Sequence, residues 1–155
     1  MKLAEFLNKD NEITAEDLER KMRSDFERNF DVRWNSPSKK MIKGKGLFYR
    51  YPEPFAARKE EYTILKHLFI YDQYKRIVSK MRFTFPELVD FMPKNYYYTI
   101  LSSHMGLSRA YLCTVITSVA SREAEIRAEA RRLKNQILED EYQKYKQKQS
   151  SKAKK

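Results

Sequence analysis

The sequence predicts a mainly α protein, a helical bundle with a small β-hairpin or extended basic arm and a long C-terminal helix. Three observations lead there. Chain breakers are scarce, with three glycines and five prolines in 155 residues. Five of those eight, Pro37, Gly44, Gly46, Pro52 and Pro54, crowd into one short segment. Elsewhere apolar residues recur at helical spacing, the pattern of elements that bury one face. A chain of this length holds one core and not two.

The first element is a short helix, because KLAEFLNK sets Leu3, Phe6 and Leu7 on one helical face. A second helix is expected from Ala15 to Phe30. Thr14 can cap it by accepting the Asp17 amide, and Ile13 can pack back onto Leu18. Leu18, Met22, Phe26 and Phe30 recur every four residues and form its inward stripe. Periodicity then stops, and VRW and GLFYRY read as short strands joined by a basic loop. Helix returns from Ala57 to Met81 on Ile64, Leu65, Leu68, Phe69, Ile77, Val78 and Met81. After a break at Arg82-Phe83-Thr84, Thr84 and Glu87 can cap a short helix with Leu88, Val89 and Phe91 inward and Pro93 closing it. Lys94 or Asn95 opens the next helix, which ends near Gly106. The last helix starts at Ser108 and can run to Gln147, roughly 60 Å at 1.5 Å per residue. Along it Leu112, Ile116, Val119, Ile126, Ala130, Leu133 and Ile137 keep a seven-residue rhythm that thins around Arg122 and Glu123.

Charge narrows the function classes. The net charge is +11, and a basic surface of this size attracts polyanions, most often nucleic acid. Its distribution is uneven. From Val32 to Pro52 stand Arg33, Lys39, Lys40, Lys43, Lys45 and Arg50 with no acid among them, and from Tyr142 to Lys155 stand six lysines and no acid. No run of apolar residues is long enough to span a bilayer, and charges interrupt the N-terminal apolar stretch as they would not in a signal peptide. The single cysteine, Cys113, excludes an intramolecular disulfide and fits a reducing compartment. A cytoplasmic protein with no membrane partner is expected, nucleoid-associated if it binds DNA.

The segment LSSHMGLSRAYLCTVI, Leu101 to Ile116, resembles the helix-turn-helix element of bacterial and phage DNA-binding proteins. Leu101, Ser102 and Met105 carry the likeness on the first helix. Gly106, Leu107 and Ser108 carry it in the turn, and Leu112 and Val115 on the second helix. Gly106 suits the left-handed turn residue, small Ser102 lets the helices approach, Leu107 plugs the corner, and Ser108 caps the second helix. The resemblance implies that Arg109, Ala110, Tyr111 and Thr114 occupy the exposed start of a recognition helix. Arg109 would then face guanine O6 and N7, with Tyr111 and Thr114 on phosphate or a thymine methyl. The sequence departs from the pattern twice, with Ser102 where alanine is usual and a second helix that continues. A rival frame lies one helix earlier, around the turn before Lys94, Asn95 and Tyr97. The same glycine also suits a plain corner between two packing helices. The expected organisation is an N-terminal helical pair over 1–31, a basic aromatic hairpin or arm over 32–56, a helix-turn-helix-like bundle over 57–120, an extended helix over 121–148 and a disordered basic tail over 149–155.

Trp34, Phe48, Tyr49 and Tyr51, interleaved with basic residues, suit either base stacking or packing of a small hairpin onto the helices. The long last helix can pair with its copy in a homodimer, lie along its own domain, or dock onto a larger protein. Catalysis finds little support. His67 and His104 lack ligand partners at metal spacing, Cys113 sits among inward-leaning residues as a buried thiol, and Glu87 and Asp90 suit capping as well as acid–base work. The expectation is a protein that is not an enzyme, takes no cofactor or metal, and binds nucleic acid, duplex DNA first. A small phage- or plasmid-type regulator of transcription, or a replication or maintenance factor, fits that size, that charge and the Lys/Tyr/Asn-rich composition. Two other classes stay open, a protein-binding adaptor or inhibitor of a nucleic-acid-handling machine, and an RNA-binding or ribosome-associated protein.

Overall fold

The computed structural model describes residues 13–58 and 60–153, so the helix expected over Leu3–Leu7 lies outside the described residues. It is mainly α, with six helices and one two-stranded antiparallel sheet among those residues. The chain divides into two compact units, one of residues up to Val32 together with those from Leu138, the other Arg33–Ile137.

In the first unit, helix α1 (Ala15–Trp34) begins as the sequence indicates. The Asp17 amide donates to Thr14 Oγ1 at 3.1 Å and the Thr14 amide donates back to the Asp17 carboxylate at 3.3 Å. That exchange pulls the Asp17 carboxyl below its usual range, the backbone bond from Thr14 being the main cause. The expected staple does not form a buried contact, since Ile13 and Leu18 are both more than half exposed. The inward stripe therefore starts at half-buried Met22 and Phe26 and ends at fully buried Phe30. Phe26 meets Tyr142 and Tyr145 at ring-centroid distances of 5.3 and 5.2 Å, while the Arg23 guanidinium lies over Tyr142 at 4.4 Å and bonds Glu139 at 2.8 Å. Those partners stand on the last helix, which continues to Ala153 through most of the tail expected to be disordered.

In the second unit, two expectations about strands are corrected together. VRW is not a strand but the end of α1, where Trp34 packs on Phe55 at 4.9 Å and Arg33 bonds Glu53 at 3.0 Å. Those contacts carry the helix past the residue where its own periodicity stops. The strand partner of β2 (Gly46–Arg50) is instead β1 (Ser38–Ile42), the stretch expected to be the basic loop. The Lys45 amide bonds the Ile42 carbonyl at 2.9 Å, and Gly44, at φ 81°, takes the turn position that needs positive φ.

Helix α2 (Glu53–Ala56) and a 3₁₀ turn (Glu60–Tyr62) then precede α3 (Thr63–Thr84), so the long helix starts six residues after the expected Ala57. Leu65 is buried as expected and Ile64, Leu68, Phe69 and Ile77 pack half-buried against the same core, which Ile70 and Tyr71 join as further buried residues. α3 runs through the expected break to Thr84, which therefore does not cap a new helix. Pro86 forces Phe85 out of helical geometry, to φ −135° and ψ 67°, and residues 86–91 form successive turns instead. Of the three residues expected inward there, Val89 alone is buried.

Helix α4 (Lys94–Met105) ends on Gly106, α5 (Arg109–Ser121) follows, and α6 (Glu123–Ala153) completes the chain. The single long helix expected from Ser108 is thus two. The break is at Arg122, φ −137° and ψ 36°, where the apolar rhythm thins. Glu123, at the start of α6, is held there by Arg127 at 2.9 Å, by Lys75 at 3.5 Å and by the Tyr71 hydroxyl at 3.2 Å. The Arg127 bond is the main reason its carboxyl sits below the usual range. α3, α4 and α5 converge on a core of Ile70, Tyr71, Tyr98, Leu101, Met105, Leu112, Val115, Ile116 and Val119, joined by Ile126 from α6. No helix among the described residues is long and apolar enough to cross a membrane.

Candidate nucleic-acid interface

The turn between α4 and α5 is built by side chains the sequence singles out. Gly106 is left-handed, at φ 69° and ψ 26°, and its amide donates to the Ser102 carbonyl at 2.8 Å. Ser102 does more than keep the helices close, because its hydroxyl donates to the Leu107 carbonyl at 2.6 Å and ties the last turn of α4 to the connection. That bond gives a physical reason for serine where alanine is usual in the motif. Leu107 packs against the core, and Ser108 Oγ accepts the Tyr111 amide at 3.2 Å to start α5.

α5 has two faces of different chemistry. Leu112, Val115, Ile116 and Val119 are buried, whereas Arg109, Ala110, Tyr111, Cys113, Thr114, Thr117 and Ser118 are exposed. The expectation of a buried Cys113 is wrong, since the inward stripe passes through Leu112 and Ile116 and leaves position 113 on the open side. Arg109 stands in the first turn of this open side. Thr114 donates its hydroxyl to the Ala110 carbonyl at 3.1 Å, which leaves the accepting side of its oxygen for another partner. Tyr111 is anchored, its ring edge-on to His67 at 6.3 Å and its hydroxyl 3.4 Å from His67 Nε2. Burial lowers the His67 pKa, so a neutral imidazole can accept from Tyr111.

The hairpin belongs to the same place. A Cβ built on Gly106 would stand 3.0 Å from Phe48 Cδ1, so the β2 ring lies directly on the glycine. Tyr49 meets His104, at the end of α4, edge-on at 5.9 Å. Tyr51 follows, with Lys66 Nζ 5.6 Å above its ring and its hydroxyl pushed up to about 12 by burial. Lys40, Lys43 and Lys45 are exposed on this hairpin, and exposed Lys39 lies 5.7 Å over the Tyr49 ring. Arg50 is half-buried, and its Nε has no hydrogen-bond partner among the described residues. Arg33 stands apart from the hairpin lysines, tied to Glu53.

The rival frame fails on its own terms. No helix precedes Lys94 in the described structure after α3 ends at Thr84, and Tyr97 and Tyr98 are core residues. Lys94 and Asn95 are exposed at the start of α4, about 16 Å along its axis from Met105 at 1.5 Å per residue. They do not join the Gly106 cluster. Along the last two helices the apolar stripe of Leu112, Ile116, Val119, Ile126, Ala130, Leu133 and Ile137 is buried within the chain.

Sequence reasoning missed one simple signal. From Phe91 to Arg122 the chain holds no acid, a third acid-free stretch, and it is the one that supplies α4, the turn and α5. The structure seats the Val32–Pro52 stretch on it through Phe48 and Gly106. Among the described residues no group of three or more His, Cys, Asp or Glu is placed to hold a metal ion. No family model, curated protein or solved structure matches this chain.

Proposed function

We propose that this chain is a non-enzymatic DNA-binding protein, a small regulator or maintenance factor, that lays α5 in the major groove and holds flanking phosphates with its β-hairpin. One observation carries this reading: α5 presents an acid-free open face of Arg109, Ala110, Cys113, Thr114 and Thr117 beside a lysine-bearing hairpin fixed to the same turn. Small side chains along most of that face let the helix approach base edges, and B-DNA's major groove, about 12 Å wide, admits such a helix. Arg109 in the first turn supplies the bidentate donor suited to guanine, and Lys39, Lys40, Lys43 and Lys45 supply charge that follows the backbone. α5 ends at Ser121, which removes the continuing second helix as a departure from the motif it resembles.

The test is a salt-titrated binding assay on a duplex selected from random sequence, with single-stranded DNA and structured RNA alongside. Arg109→Ala should weaken the selected duplex by about 1–3 kcal/mol and leave non-specific duplex nearly unchanged. Replacing Lys39, Lys40, Lys43 and Lys45 by glutamine should weaken all duplexes and flatten the salt slope, by about 0.9 for each phosphate no longer neutralised. Selected duplex bound equally well by Arg109→Ala would show that α5 does not read bases, and tighter binding of RNA than of any duplex would transfer the interface to another nucleic acid.

A further inference from the structure

The last turn of α3 and the connection from it to α4 carry an apolar surface that the DNA reading does not use. Phe83 is 91% and Phe91 83% exposed, and Phe85 and Leu88 are each about half exposed. Four large apolar side chains within nine residues thus stand open to solvent, and clustered exposed apolar surface marks association sites. Beside it opens a cavity of about 330 Å³, with Ile77, Met81, Phe85 and Ile100 as its apolar wall and Lys80, Thr84 and His104 as its polar one, with room for one phenyl ring. Charges of both signs frame the patch in order. Lys80 and Arg82 precede it, and Glu87 and Asp90 lie within it. No ion pair engages Arg82, Glu87 or Asp90 among the described residues. Carboxylates inside the patch would repel an anionic membrane or a phosphate backbone. They suit a partner that brings arginine to glutamate and aspartate, a projecting ring to a hollow, and does so twice.

We propose that residues 83–91 form an isologous interface with a second copy of this chain, the two segments running antiparallel across a two-fold axis. In that arrangement Arg82 of each copy faces Glu87 and Asp90 of the other, and a phenyl ring of each enters the hollow by α3 and α4. Such a dimer would present two copies of α5 without using the stripe that the chain buries internally.

Sedimentation velocity of the full chain over a concentration series tests this directly. The wild type should show a monomer–dimer equilibrium. Phe83→Ser, at a position too exposed to matter for folding, should weaken it by about tenfold or more, with the circular dichroism spectrum unchanged. Arg82→Glu alone, or Glu87→Arg with Asp90→Arg, should also weaken it, and the chain carrying all three reversals should recover it because both copies then carry the swapped pairs. A chain that stays monomeric throughout the series overturns the proposal, as does a dimer that Phe83→Ser leaves intact or that the triple reversal fails to restore.

Discussion

Replacing Gly106 by alanine perturbs two things at once, and the structure separates their sizes. At φ 69° an alanine sits in the left-handed region, a strain of about 1–2 kcal/mol. Its Cβ also meets three Phe48 ring atoms at 3.0, 3.1 and 3.2 Å, so the ring must yield by a few tenths of an ångström. Phe48 is half-buried and can move, which puts that contribution at the low end of overpacking, about 1 kcal/mol. Alanine restricts the unfolded chain and offsets about 0.4–1 kcal/mol, leaving a net loss of about 1–2 kcal/mol. Urea unfolding followed by the fluorescence of Trp34, the chain's one tryptophan, measures it within the unit that holds both residues. A double-mutant cycle with Phe48→Ala isolates the ring's part. In the Phe48→Ala background the cost of Gly106→Ala should fall by that part and keep the backbone share. Equal cost in both backgrounds would mean that the hairpin does not rest on the glycine, and a neutral or stabilising Gly106→Ala would mean that the turn is not left-handed.

Burial separates two leucines of the same unit. Leu112→Ala, at a residue with no exposed surface, should cost about 2–5 kcal/mol, while Leu47→Ala, at one 53% exposed, should change the urea midpoint by less than about 0.5 kcal/mol equivalent. The same fluorescence titration reads both, and comparable losses would misplace the core. His67 links stability to pH. Burial lowers its folded pKa below the ordinary 6.5, so as pH falls through 6.5 the unfolded chain takes up the proton first. Stability is therefore full above that value, declines as pH falls from it, and stops declining on this account below the folded pKa. Urea midpoints between about pH 7 and pH 5.5 should fall for the wild type and hold level for His67→Gln, and identical profiles would remove His67 from the linkage.

Helices with strong local signals were legible residue by residue. The Thr14 cap, the start of α4 and the Gly106–Ser108 turn follow from side chains that act on their immediate neighbours, and each stands where local chemistry puts it. Errors gather where distant contacts override local preference. Val32–Trp34 has the β-branched and aromatic composition of a strand, yet Phe55 and Glu53 hold it helical. Lys39 and Lys40 look like loop residues, yet pairing with Tyr49 and Phe48 makes them strand. The seven-residue rhythm from Leu112 to Ile137 reads as one helix because a break at Arg122 keeps the inward face in step on both sides.

The sequence by itself determined the mainly α class, the basic surface, and the cap and turn residues around Gly106. Each depends on composition or on atoms a few residues apart. Only the tertiary structure decided that Cys113 joins the open face of α5, that Phe48 seats the hairpin on Gly106, that Tyr111 leans on His67, and that Phe83 and Phe91 face outward. Those depend on residues dozens of positions apart meeting in space, where side-chain shape and the volume left by other elements choose among partners that look alike in sequence.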